Sequence, residues 1–102
     1  MLYVVVLRYI RPMEEVQLHL DSHRDWLVTH MKAGCIVVAG PMPSRDGGLL
    51  LAQSEDRAEL DAVLAQDSFH VHRVVEYDIH AFEPALRAAS FPANWALEAK
   101  AL

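Results

Sequence analysis

Within residues 16–31, VQLHLDSHRDWLVTHM, three histidines recur on a segment with helical spacing: His19, His23 and His30. An imidazole ordinarily titrates across neutral pH and can serve as general base, general acid or metal ligand, so its place relative to the apolar side of the helix decides its chemistry. Val16, Leu20, His23, Leu27 and Met31 are separated by four, three, four and four residues, the period of a buried helical stripe. His23 therefore stands in line where a leucine is expected, while His19 and His30 flank the stripe as polar-face or edge residues.

A second polar residue interrupts an apolar pattern in EDRAELDAVLAQDSF, residues 55–69. Leu60, Val63 and Leu64 form one helix face, and Asp67 arrives where a hydrophobe would complete it. A buried carboxylate is costly unless it is hydrogen-bonded, and an imidazole on a neighbouring helix is a suitable partner. An Asp67–His23 pair would orient the ring and fix its tautomer. The residues alone leave two readings open, a catalytic base and a purely structural buried hydrogen bond.

Metal binding has weaker support. His19 and His23 have the i, i+4 spacing that places two ligands on one helix face, but His30 lies two turns further along the axis. His70 and His72 alternate in FHVHR and His80 lies on the polar side of its segment, yet no HExxH-type motif is present. Two ligands fall short of a zinc site, and neither a metal nor another cofactor is expected. Cys35, the single cysteine, has no partner for an internal disulfide and reads as a small buried apolar residue. In the loop GPMPSRDGG, residues 40–48, Ser44 and Arg45 could hold an anionic or hydroxylated group; the alternative is an ordinary rigid hairpin connection.

The elements that must position these residues follow from local patterning. LYVVVLRY, residues 2–9, is apolar on both faces and predicts a covered strand. Pro12, Glu14 and Glu15 suit the start of one helix, which Gly34 closes. CIVVAGP, residues 35–41, and GLLLAQ, residues 48–53, predict an antiparallel hairpin, and Ser54 offers an N-cap for the second helix. VVEYDIHAF, residues 74–82, alternates with Val75, Tyr77, Ile79 and Ala81 on one side and predicts a half-exposed last strand.

The order β-α-β-β-α-β predicts an α+β ferredoxin-like fold, a four-stranded antiparallel sheet with two helices on one face. The second face of the first three strands is apolar and needs a cover, and a homodimer packing sheet against sheet is the economical solution. The tail from Glu83 could contribute through Phe91, Trp95 and Leu97, or remain a loosely held extension.

At 102 residues and 53% hydrophobic, the chain fits one domain with a modest core. A formal charge of −5, with no Lys/Arg stripe, argues against nucleic acid as partner. No segment has the length of a membrane span, and MLYVVVLRYI lacks the form of a signal peptide, so a soluble, cytoplasmic protein without membrane association is expected.

The opening LYVV, HRDWL on the first helix, AGPMPSRDGG after the second strand and QDSF before the last strand together resemble the YCII-related family, over residues 2 to about 83. The resemblance implies a dimeric α+β barrel with an active-site histidine and aspartate in a cleft. The family's histidine falls on His23, its Gly-Pro on Gly40 and Pro41, and the aspartate and aromatic of its Asp-Pro-Phe/Tyr motif on Asp67 and Phe69, with Ser68 where proline is usual. It also implies enzyme-like activity, one branch resembling lyases that eliminate chloride from hydroxylated aromatic rings.

This favours the catalytic reading. The expectation is a homodimeric lyase- or isomerase-type enzyme for a small molecule, with His23 and Asp67 catalytic and Gly40, Pro41, Ser44, Arg45 and Phe69 binding substrate. The domain would span residues 1–83 and a C-terminal extension residues 84–102. A non-catalytic ligand-binding or interaction module on the same dimeric fold is the alternative.

Overall fold

The computed structural model describes residues 1–102. Strand β1 (Leu2–Tyr9) leads into helices α1 (Met13–Leu18) and α2 (Leu20–Lys32), then the hairpin β2 (Ile36–Pro41) and β3 (Gly47–Gln53). Helix α3 (Arg57–Leu64), a one-turn helix α4 (Ser68–Val71) and strand β4 (Val75–Phe82) complete the domain. The sheet order is β2-β3-β1-β4 with every neighbouring pair antiparallel, the ferredoxin-like arrangement expected from the element order.

Alternation along the strands separates the two faces of the sheet. Tyr3, Val5 and Leu7 of β1, with their cross-strand neighbours Leu50 and Ala52, join Ile36, Trp26, Leu60 and Leu64 in the main core. A smaller cluster of Val16, Phe69, Val74 and Val75 seals the end where α4 meets β4. On the opposite face, Val4 pairs with Leu51, which pairs in turn with Val38. Val38 is 57% exposed, so no element of this chain covers that part of the sheet.

Local chemistry moves several element ends from their predicted positions. The first helix divides at His19, whose backbone (φ −113°, ψ 8°) leaves the helical region. Its carbonyl accepts both the His23 N–H (3.0 Å) and the Ser68 hydroxyl (3.1 Å), a tie to α4 that no helical period encodes. Trp26, absent from the predicted stripe, is buried, whereas Met31 is exposed. Asp56, rather than Ser54, caps α3 by accepting the Glu59 N–H at 2.9 Å. Gly34 ends α2 at φ +90°, a conformation that suits glycine.

The tail folds mainly on itself. Leu86–Arg87 (β5) and Lys100–Ala101 (β6) form a short parallel pair, and Phe91 meets the edge of Trp95 at 5.9 Å. Trp95 and Ala96 border a crevice with Met1 and Gln53 at one end of the sheet. Leu97 is 81% exposed and contributes no cover.

Candidate active site

Asp67 does not finish the face of α3. That helix stops at Leu64, and Asp67, in extended backbone conformation, caps α4 through the Phe69 N–H, which donates to Oδ1 at 3.0 Å. Aspartate is a favoured N-cap because its carboxylate accepts an otherwise unpaired amide. Ser68 occupies the first helical position, where a proline also fits. Its hydroxyl accepts from Ser22 at 2.8 Å as well as donating to His19, which joins α4 to the start of α2.

This cap aims the carboxylate at α2. His23 Nδ1 lies 2.7 Å from Asp67 Oδ1, and the Tyr77 hydroxyl donates to Oδ2 at 2.7 Å. The Asp67 side chain is completely buried, and its three donors satisfy a group that would otherwise be expensive to enclose. An ionised carboxylate only accepts, so Nδ1 carries the proton in this pair and Nε2 holds the free lone pair. Burial pushes the Tyr77 hydroxyl well above its ordinary range, reinforced by the adjacent Asp67 carboxylate, so Tyr77 remains a donor.

Packing fixes the imidazole as firmly as the hydrogen bond does. Phe69 stacks on His23 with ring centroids 3.9 Å apart and planes 9° from parallel. Trp26 lies on another side at 5.6 Å, anchored by its indole N–H to the Val63 carbonyl at 2.8 Å. His23 Nε2 makes no hydrogen bond within the chain and is not sealed from solvent. The His23 side chain borders a cleft of about 240 Å³.

Leu7, Leu50 and Phe69 give this cleft apolar walls, while Gly40, Pro41 and Gly48 form part of its rim. Tyr9 and Arg24 also border it, and neither was singled out by its pattern in the sequence. Arg24 is adjacent to His23 and lies on an exposed helical position, so periodicity gives it no distinction. Tyr9 reads as the end of a strand, and Tyr77 as one more inward residue of β4. A phenol on an inward-facing position was the available signal in each case.

Ser44 and Arg45 do not border the cleft. Ser44 instead hydrogen-bonds Asp46 within the hairpin turn, and exposed Arg45 adopts φ 64° there. A tight turn satisfies its own polar groups and directs them away from the sheet. None of the other histidines borders the cleft: His19 stacks on His72 with centroids 3.8 Å apart, His30 meets Gln66 at 3.0 Å, His70 stacks on Tyr77 at 5.8 Å, and His80 lies 3.3 Å from Asp78. Cys35 is half-buried against the core, and burial raises its thiol above the ordinary value.

The sequence profile of the YCII-related domain matches residues 1–83. No curated protein matches the chain. Among solved structures, 5-chloro-2-hydroxyhydroquinone dehydrochlorinase (TftG) from Burkholderia phenoliruptrix AC1100, in complex with 2,5-dihydroxybenzoquinone, is similar with a TM-score of 0.62 and 23% identity. The alignment covers 82% of this chain and 95% of that one, a likeness of fold.

Proposed function

The chain belongs to the YCII-related family, and from that premise we propose that it is a small-molecule enzyme in which His23 transfers a proton and Asp67 orients it. The observation that carries this reading is the asymmetry of one imidazole. Nδ1 is held by a buried carboxylate, while Nε2 has no partner in the chain and the residue borders the cleft. A purely structural histidine gains nothing from leaving its second nitrogen without a protein partner.

In the proposed step, a substrate O–H or C–H proton passes to His23 Nε2, and Asp67 stabilises the resulting imidazolium. For elimination, the electron pair left on the substrate becomes a π bond as the leaving anion departs with its own bonding pair. For isomerisation, the same proton returns to a different carbon. Neither outcome requires an enzyme nucleophile.

A hydroxylated or halogenated six-membered ring is the substrate class favoured by the apolar walls of the cleft and its modest volume. The structural neighbour's substrate and its bound quinone support this choice. Phe69 would hold His23 from behind and Gly40 and Pro41 would border the ring. The working assembly is a homodimer through the face bearing Val4, Leu51 and Val38, since large exposed apolar patches are unusual in monomers.

The test is turnover of chlorinated hydroxyhydroquinones, followed by chloride release, by wild type and His23→Ala. Turnover that disappears in a folded His23→Ala protein supports the reading; turnover at the full rate in that variant overturns it.

A further inference from the structure

The cleft beside His23 contains no carboxylate on its lining; its polar side chains are His23, Arg24 and Tyr9. Asp67 is held on His23 Nδ1 and is not part of the lining. The protein as a whole carries a formal charge of −5, so a lining that holds a cation and no carboxylate departs locally from the overall sign.

Arg24 makes no ion pair and no side-chain hydrogen bond, whereas Arg8, Arg11 and Arg57 are paired with Asp78, Glu15 and Asp61. The Tyr9 hydroxyl likewise has no partner in the chain, and its ring rests edge-on against Phe69 at 5.9 Å. Both residues line the same cleft. The Arg24 guanidinium lowers the Tyr9 hydroxyl against the larger upward push of burial. Unpartnered donors on the lining of an otherwise apolar cleft are a usual means of orienting a small ligand.

We infer that Arg24 and Tyr9 form an oxyanion-recognition subsite, and that the cleft takes a flat ring bearing an ionised oxygen, with that oxygen on Arg24 and Tyr9. The guanidinium supplies charge-assisted hydrogen bonds and the phenol a further donor. The ring lies between the apolar walls of Leu7, Leu50 and Phe69, which leaves another edge of it toward His23 Nε2. This deepens the proposed function by naming the ionic form of the substrate, and it rests on that reading only for what His23 then does. Arg24 and Tyr9 act here as positioning and specificity-determining residues.

The inference is tested by equilibrium binding of 4-nitrophenolate and uncharged nitrobenzene at pH 8.5, by titration calorimetry, to wild type, Arg24→Gln, Tyr9→Phe and His23→Gln. Wild type is expected to prefer the anion by about tenfold or more, as a charge-assisted contact requires. Arg24→Gln should bring the ratio to about one while nitrobenzene binds as before, which also reports an intact fold. Tyr9→Phe should lower the ratio by a smaller factor. His23→Gln should keep the preference, so the anion subsite and the proton-transfer role fail separately. Equal affinity for the two probes in wild type, a preference that survives Arg24→Gln, or saturable binding of neither probe overturns the inference.

Discussion

The Tyr77 hydroxyl donates to one oxygen of Asp67 at 2.7 Å while His23 Nδ1 meets the other oxygen at the same distance. Strand β4 and helix α2 are thus joined through a single buried carboxylate. The strand braces Asp67 from one side so that its other oxygen is held toward the imidazole.

Tyr77→Phe removes that brace with almost no change in shape. A hydrogen bond to a charged group contributes about 1.5–3 kcal/mol, and a loss of that size is expected in urea unfolding at neutral pH. Folding raises the Tyr77 hydroxyl above its ordinary 10.0. Its stabilising contribution is therefore fully present below that pH and falls as the pH rises toward the folded value, because the unfolded chain then releases a proton that the folded one retains. Unfolding midpoints collected on both sides of pH 10 should fall less steeply in Tyr77→Phe than in wild type.

Asp67→Ala leaves three donors facing an emptied buried site and is expected to cost about 3 kcal/mol or more. Asp67→Asn retains the volume but brings N–H groups where donors already converge. In whichever of these variants remains folded at the assay temperature, the proposed turnover should fall by about 10²–10⁴-fold, as expected for loss of an oriented acid–base pair. Thermal melting separates the stability loss from the rate loss.

Phe69→Ala withdraws the ring stacked on His23 and breaks the smaller core cluster, since Phe69 is 1% exposed. A cost of about 3–5 kcal/mol is expected. Phe69→Leu should recover much of the stability but not the proposed turnover, because it refills the volume without restoring a flat support for the imidazole. Denaturant midpoints and rates measured on the same preparations would distinguish the two contributions.

Glycines of the hairpin divide sharply. A Cβ at Gly47 would lie 1.8 Å from the Leu7 carbonyl oxygen, whereas one at Gly40 would meet nothing within 4 Å. Gly47→Ala must displace the backbone of β1 and should destabilise by at least about 1–3 kcal/mol. Gly40→Ala should change stability by less than about 0.5 kcal/mol. Equal melting temperatures for the two variants would contradict this assignment.

The proposed dimer is tested on the outer face of the sheet. Val38→Asp places a charge on the exposed stripe without entering the core and should shift the species seen by analytical ultracentrifugation from dimer to monomer. A wild-type protein that sediments as a monomer at micromolar concentration would remove the proposal.

The order of strands and helices, the inward position of His23 and the apolar character of both faces of the first three strands were determined by the sequence. Each depends on a period of 2 or 3.6 residues, which is local information. The presence of a carboxylate within reach of His23 was also legible, because Asp67 stands out beside Leu60 and Leu64. Only the tertiary structure decided how that carboxylate is held. Asp67 became the cap of a separate helical turn, and Tyr77 reached it from β4, a contact set by strand register rather than by any spacing along the chain. The same holds for Arg24 and Tyr9, which border one cleft from a helix and a strand, and for Ser44 and Arg45, turned away by their own hairpin. Periodicity assigns a residue to a face; which partner it meets there depends on where chain ends, caps and registers place the neighbouring element, and those are settled only when the whole core packs.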